Sequence, residues 1–518
     1  MERFVKNSFW ITLIKEHLFT SNDTEVYAWN EQEEFESKDP LTYANIILNE
    51  WNDKSNKSNP KNWSIYYKMF FSLEIGFLSL SVYIALAIYT PGVPQIMKEL
   101  DVSQEVATLP LTMFVVAYGI GPMILSPITE YYPIGRNPVY IVTLFIFAVL
   151  QIPTAMCTDI ASLCILRFIS GFFASPVLAT GGASVCDVIL VPYMPVVIGI
   201  WAICSLCGPS LGPLIGAVLI DKGGWRWTFW FILIISGISF GVLGFCLPET
   251  YAPTLMYKRA KKLRKFTGND AIRSIDELQE KILAKNKILV KYLWRPIEIS
   301  IIEPVVLLIN IYLALVYSVL YLWFEAFPIV YLDIFDFSIV EEGACFSSLL
   351  IGVILGSICY VTFIYFKFTL KLLRHETVYP EVFTPMGIVG GSLLPCGLFI
   401  FAWSSTRQVH WIGSLIGAVI AGYSNFVIFQ TLLNYLGMSF PKYVASVFAS
   451  NCLWRSVIAG VAPLFAEPLY NNLATPSFPV GWGSTILGLI ALLMISIPVL
   501  FYLNGPKLRA RSRFASNI

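Results

Sequence analysis

Gly208-Pro209-Ser210-Leu211-Gly212-Pro213 lies inside an unbroken apolar run from Met194 to Ile220, and its reading decides the fold. In a helix, Pro209 and Pro213 lack the amides that would pair with the carbonyls of Ser205 and Pro209. A soluble protein seldom tolerates such a pair mid-helix. Gly208, Gly212 and Gly216 recur every four residues and so form one bare stripe on a helix face. A stripe without side chains admits close approach by another helix, and the two prolines allow a bend. Both properties suit a membrane helix that moves against its neighbours.

The composition agrees. Of the 518 residues, 56% are hydrophobic and only 13% charged, with a mean hydropathy of +0.67. These values describe a polytopic membrane protein rather than a string of soluble domains. Cys204 and Cys207 form a lone CxxC without a second pair, which reads as small polarizable helix residues. With three histidines in the chain, no histidine-rich metal site is expected.

A bilayer core takes roughly 20 apolar residues per helix, and on that measure the chain holds about twelve spans. They fall near 69–91, 105–126, 139–157, 160–185, 194–220 and 227–248, then near 303–327, 344–366, 385–404, 411–434, 443–467 and 481–504. Basic residues alternate sides. Lys54, Lys57, Lys61 and Lys68 precede span 1, Lys258 to Lys265 follow span 6, Lys367, Lys371 and Arg374 follow span 8, and Lys507, Arg509, Arg511 and Arg513 follow span 12. The loop after span 7 carries Asp333, Asp336, Glu341 and Glu342 with no lysine or arginine. Both termini are therefore expected in the cytoplasm.

The expected plan is an all-helical membrane fold in two six-helix halves, 69–248 and 303–504, the 6+6 pattern of transporters built from repeats. They are joined by a polar connector, 249–302, and flanked by an N-terminal tail, 1–68, and a basic tail, 505–518. In the N-terminal tail, Phe4, Val5, Trp10, Ile11, Ile14 and Leu18 among Arg3, Lys6 and Lys15 fit an amphipathic helix on the inner leaflet, or equally a disordered segment.

Charges inside spans are costly and mark functional candidates. Arg455 lies about 12 residues into span 11, near the midplane by a rise of 1.5 Å per residue. Arg167 is nearer the outer face, Glu74 sits about two turns inside span 1, and Glu325 lies near the outer end of span 7. A carboxylate loaded with a proton on one side and emptied on the other can couple transport to a proton gradient. Aromatics make up 15% of the chain. Phe114, Tyr118, Tyr317, Tyr321, Phe324, Phe429, Phe448 and Trp454, with Gln430, are candidates for a cargo cavity, because aromatic walls accept flat and diverse molecules.

The loop Ser126-Pro127-Ile128-Thr129-Glu130-Tyr131-Tyr132-Pro133-Ile134-Gly135-Arg136-Asn137-Pro138, the run Arg167-Phe168-Ile169-Ser170-Gly171, and the span 5 glycines and prolines resemble three signature motifs. These belong to the drug:proton antiporters of the major facilitator superfamily. Trp225-Arg226-Trp227-Thr228-Phe229-Trp230, Leu247-Pro248-Glu249-Thr250 and the final Tyr502 to Arg511 add to the likeness, which covers nearly everything after about residue 60. The chain resembles the fungal twelve-spanner group that confers benomyl, methotrexate and azole resistance. It departs from the loop motif at Ser126, Glu130 and Asn137, and two extra residues separate Glu130 from Gly135.

The resemblance implies export of amphiphilic drugs across the fungal plasma membrane in exchange for protons, by a chain acting as a monomer in the bilayer. It implies no cofactor beyond the proton gradient, no metal, no enzyme activity and no nucleic-acid partner. Within it, Gly208, Pro209, Gly212, Pro213 and Gly216 form the antiporter motif. Glu130, Gly135 and Arg136 belong to a gating latch with Asp187, at the inner end of span 4. The alternative is a facilitator for a physiological metabolite, a polyamine or an organic anion, by uniport or symport.

Overall fold

The computed structural model describes residues 47–48 and 59–515, apart from 271, 283, 284 and 442. The proposed amphipathic helix of the N-terminal tail lies outside them. Among the described residues, eleven helices are long and apolar enough to cross a membrane. Span 4 falls short of that measure because Pro176 divides it into Ile160–Ala174 and Pro176–Val188. Asp159 starts its first piece, its carboxylate accepting the Ser162 amide at 2.7 Å.

Span 5, Met194–Gly223, is one helix through both internal prolines. A Cβ on Gly208 would stand 2.9 Å from the Tyr83 carbonyl carbon, and one on Gly212 would stand 2.9 Å from the Ile88 amide nitrogen. The bare stripe therefore lies against the main chain of span 1, Ile65–Ala87, in the same half. Span 5 also reaches the other half. Gly199 faces Tyr360 and Val361 of span 8, and Gly343, on the short helix Ile339–Cys345, abuts the Pro213 carbonyl.

Spans 3 and 6 turn outward. Val142, Phe145, Val149 and Ile152 are exposed at helical spacing on one, and Ile234, Ile238, Val242 and Phe245 on the other. Such continuous apolar faces match lipid hydrocarbon. Span 7, Pro304–Phe327, is the reverse: every residue from Tyr312 to Phe327 is buried except Leu315. It packs on span 11, Val444–Val461, which in turn crosses span 2, Gln104–Thr129. Gly119 against Ser456 and Gly460 against Val115 allow that crossing between the halves.

Helix also occupies part of the two segments that flank the C-terminal half. Span 12 continues as helix to Arg511, so residues 505–511 are not a free basic tail. Arg509 is buried there and paired with Glu381, which neutralises its charge. The connector also ends in a helix, Lys285–Ile302, that buries Pro296, Ile299 and Ser300 against span 11.

Candidate functional site

At the centre, between the halves, two arginines each sit among aromatic rings. Arg167 and Gly171 are four residues apart and share a helix face. A Cβ on Gly171 would overlap the Phe114 carbonyl, so the glycine lets span 4 approach span 2. One turn away, the Arg167 guanidinium lies 4.2 Å from the Phe114 ring centroid and 5.7 Å from those of Tyr89 and Phe229. Its Nη2 donates to the Ala85 carbonyl at 3.0 Å.

Arg455, from the other half, lies 4.1 Å from the Tyr317 ring and 4.8 Å from Phe429. Further rings extend from each cation. Phe114 stacks with Tyr118 at 6.2 Å, Tyr118 meets Tyr83 edge-on at 5.7 Å, and Tyr317 contacts Tyr321 and Phe429 at 6.4 and 5.8 Å. Phe324 meets Tyr321 edge-on at 5.4 Å, and Tyr321 lies within electrostatic reach of both guanidiniums. Spans 1, 2, 4 and 6 of one half and 7, 10 and 11 of the other thus contribute to one layer.

Polar contacts join the halves on both sides of this layer. Toward the acidic end, Glu325 is buried and accepts hydrogen bonds from Gln104 Nε2 at 2.9 Å and Thr108 Oγ1 at 3.4 Å. Toward the basic end, Gln430 Nε2 donates to the Ile198 carbonyl at 3.4 Å, and Thr369 Oγ1 donates to that of Pro192 at 2.8 Å. Trp454 and Phe448 lie apart from the layer. Trp454 Nε1 donates to Ser300 of the last connector helix at 3.1 Å, and Phe448 packs near Gly437 of span 10. Glu74 is also separate. It is buried in span 1 near Cys246 of span 6, with no hydrogen-bond partner for either carboxylate oxygen.

The loop motif builds a second centre at the basic end, within the N-terminal half. Gly135 has φ +82°, which a side chain would strain, and a Cβ there would strike Glu249. Arg136 Nε lies 3.0 Å from Asp187 Oδ2, its Nη1 donates to the Thr180 carbonyl at 3.3 Å, and Thr250 Oγ1 donates to Asp187 at 3.2 Å. The Glu249 carboxylate accepts the amides of Arg136 and Asn137 at 3.3 Å and of Thr250 and Tyr251 at 3.0 Å. It therefore holds the first turn of span 3, where a helix dipole favours negative charge. Glu130 stays half-buried nearby. Burial pushes its carboxyl above the usual carboxylate range, and the Arg136 charge works against that rise.

Both arginines and most of the rings that lie together here stand out in the sequence, whereas the residues that position them do not. Asn451 Nδ2 donates to Asn310 Oδ1 at 3.0 Å, Asn310 Nδ2 donates to Ser450 at 2.9 Å, and Ser450 and Ser300 share a bond of 2.7 Å. This chain pins span 11 to span 7 and to the connector. The signal was present in Asn310 and Asn451, amides inside apolar runs.

A model of the Major Facilitator Superfamily matches residues 75–463. The chain belongs to the Major Facilitator Superfamily. It is 49% identical to the cycloheximide resistance protein of Candida maltosa, over 99% of this chain and all of that protein. It is 39% identical to fluconazole resistance protein 1 of Saccharomyces cerevisiae, over 90% of this chain and 84% of that one. Among solved structures, the partially occluded inward-open xylose transporter XylE from E. coli matches with a TM-score of 0.57 at 14% identity. That match covers 84% of this chain and 99% of XylE, and it supports the shared fold alone. As a facilitator-superfamily member grouped with fungal drug-resistance transporters, the chain is a multi-pass membrane transporter and not an enzyme.

Proposed function

We propose that this facilitator is a drug exporter of the fungal plasma membrane, expelling antifungals and other xenobiotics in exchange for protons by alternating access. Its basic end faces the cytoplasm. The observation that carries the reading is the ring layer shared by the two halves, with polar contacts between the halves on both sides of it. Cargo held in such a layer is released to one side when the contacts on that side part. Rings adapt to varied molecules without fixed hydrogen bonds, which suits a broad spectrum. The relatives named for cycloheximide and fluconazole resistance support drugs as cargo.

Glu325 is the preferred coupling carboxylate. It sits in a contact between the halves, so a change in its proton load acts directly on that contact. Glu74 is the second candidate, buried within one half. The ion pair of Arg136 with Asp187 serves as the latch at the cytoplasmic end.

The test is accumulation of labelled fluconazole and cycloheximide in yeast that lacks its own exporters. Expression of the chain lowers accumulation, and a protonophore restores it. Accumulation equal to that of the empty vector defeats the export reading. Export that persists unchanged with the protonophore defeats proton exchange.

A further inference from the structure

We propose that the arginine–ring layer is a site for amphipathic organic anions, aromatic molecules bearing a carboxylate or a similar acidic group, and that it disfavours polyamines and other organic cations. The inference rests on reading the layer as the cargo site and names its substrate class.

The argument begins with unused donors. Arg167 and Arg455 are 0% and 3% exposed, and among the described residues neither forms an ion pair. In each, Nε and Nη1 are buried without a hydrogen-bond partner. The described polar atoms thus leave most of the in-plane edge of both guanidiniums unsatisfied. Rings cover the faces: Phe114 over Arg167, Tyr317 and Phe429 over Arg455. A ring face offsets part of the cost of burying a cation, but it takes up none of the N–H donors that point outward in the guanidinium plane. A carboxylate does so, in paired and charge-assisted bonds.

The Tyr118 hydroxyl, buried between Phe114 and Tyr83, adds one more polar atom to the same surface.

Among the described residues no carboxylate is paired with Arg167 or Arg455, and Glu74, though itself without a hydrogen-bond partner, lies away from the layer. Glu325 is engaged by Gln104 and Thr108, Glu74 lies near Cys246, and Asp187 is paired with Arg136 at the basic end. A cationic ligand in the layer would therefore meet two like charges with no acid of its own to bind. An anionic aromatic ligand would neutralise them while stacking on the rings. This choice separates the two metabolite classes that the sequence leaves open, favouring the organic anion over the polyamine.

The test uses 2-naphthoate, 2-naphthamide and 2-naphthylmethylammonium, which share one ring system and differ in charge. Binding to the purified full-length chain in nanodiscs is measured directly, with empty nanodiscs subtracted, alongside inhibition of neutral-drug efflux in vesicles. Naphthoate is expected to bind at least about tenfold more tightly than either analogue. Arg455→Gln and Arg167→Gln are expected to bring the ratio of naphthoate to naphthamide affinity toward one, and Arg455→Lys to keep part of it. If a glutamine variant does not reach the membrane, the ratio in the unaltered chain still decides. Equal or tighter binding of the amide or the ammonium overturns the inference. Neutral-drug efflux without anion preference overturns this inference and spares the export reading. Anion preference without any drug efflux upholds the anion site and sinks the export reading.

Discussion

Glu325 of span 7 accepts a hydrogen bond from Gln104 of span 2 at 2.9 Å, joining residues 221 apart in sequence and from opposite halves. Thr108, one turn along the same helix as Gln104, reaches the other carboxylate oxygen at 3.4 Å. In the mechanism we propose, this contact would open and close with the proton load of Glu325. Glu325→Gln keeps the shape of the contact but carries no titratable proton. It is expected to retain exchange of drug across the membrane while losing the dependence of net efflux on the pH gradient. Flux measurements in vesicles at set inner and outer pH check this. A variant whose net efflux still follows the gradient would remove Glu325 as the coupling group.

The pair of Arg136 and Asp187 is more sheltered than a surface salt bridge, with side-chain exposures of 6% and 20%. Removing one partner of a buried pair costs about 3–5 kcal/mol, and the partial exposure of Asp187 places Arg136→Ala near the lower end. A fall in melting temperature of the purified protein is expected. The double variant Arg136→Ala with Asp187→Ala should recover part of the loss, because the stranded carboxylate is gone. Additive losses in the double variant would mean that the two residues are not energetically coupled.

Glu130 gives a pH-dependent counterpart. Its carboxyl is raised by burial, so the folded protein holds that proton more tightly than the unfolded chain does. Its contribution is therefore most favourable at low pH and declines as pH rises from the unfolded value through the raised folded one. Glu130→Gln removes this slope. The stability gain of the glutamine variant should grow as pH rises above the ordinary carboxylate range, and Arg136→Ala should widen the pH range of that dependence in the parent chain by removing the opposing charge. Melting curves across that range test it, and a constant difference between parent and glutamine variant would refute it.

Much of the fold is legible in the chain because long apolar runs and basic borders are local signals. Span 4 blurs that signal, since Pro176 cuts its helix into two pieces that each look too short. The central layer is partly legible for a related reason. Arginines inside apolar runs stand out, and Arg167, Arg455, Tyr317 and Phe429 come together in the structure. What escaped notice depends on contacts between distant segments. Gln104 and Thr108 are ordinary polar residues at the start of a helix until Glu325 arrives from the other half. Glu249 was legible only as part of a motif, and its grip on four amides appears once the end of span 6 folds beside the start of span 3. Arg509 misled for the opposite reason: a cation past the apolar run reads as a solvated tail, yet Glu381 holds it in a buried pair.

The glycine stripe of span 5 supplies the last test. A Cβ at Gly208 or Gly212 would meet the main chain of span 1 at 2.9 Å, and main chain cannot swing aside as a flexible side chain can. Overpacking of this kind costs about 1–3 kcal/mol, felt wherever span 5 must slide or bend against span 1. Gly237 and Gly241 of span 6 are the controls, because a Cβ on either meets nothing within 4 Å. Gly208→Leu and Gly212→Leu are expected to reach the membrane yet lose efflux, whereas Gly237→Leu should insert and export as the parent does. Fluorescence-tagged surface yield and drug accumulation, measured on the same cells, separate insertion from transport. Full efflux with leucine at Gly208 or Gly212 would show that span 5 does not depend on this close approach.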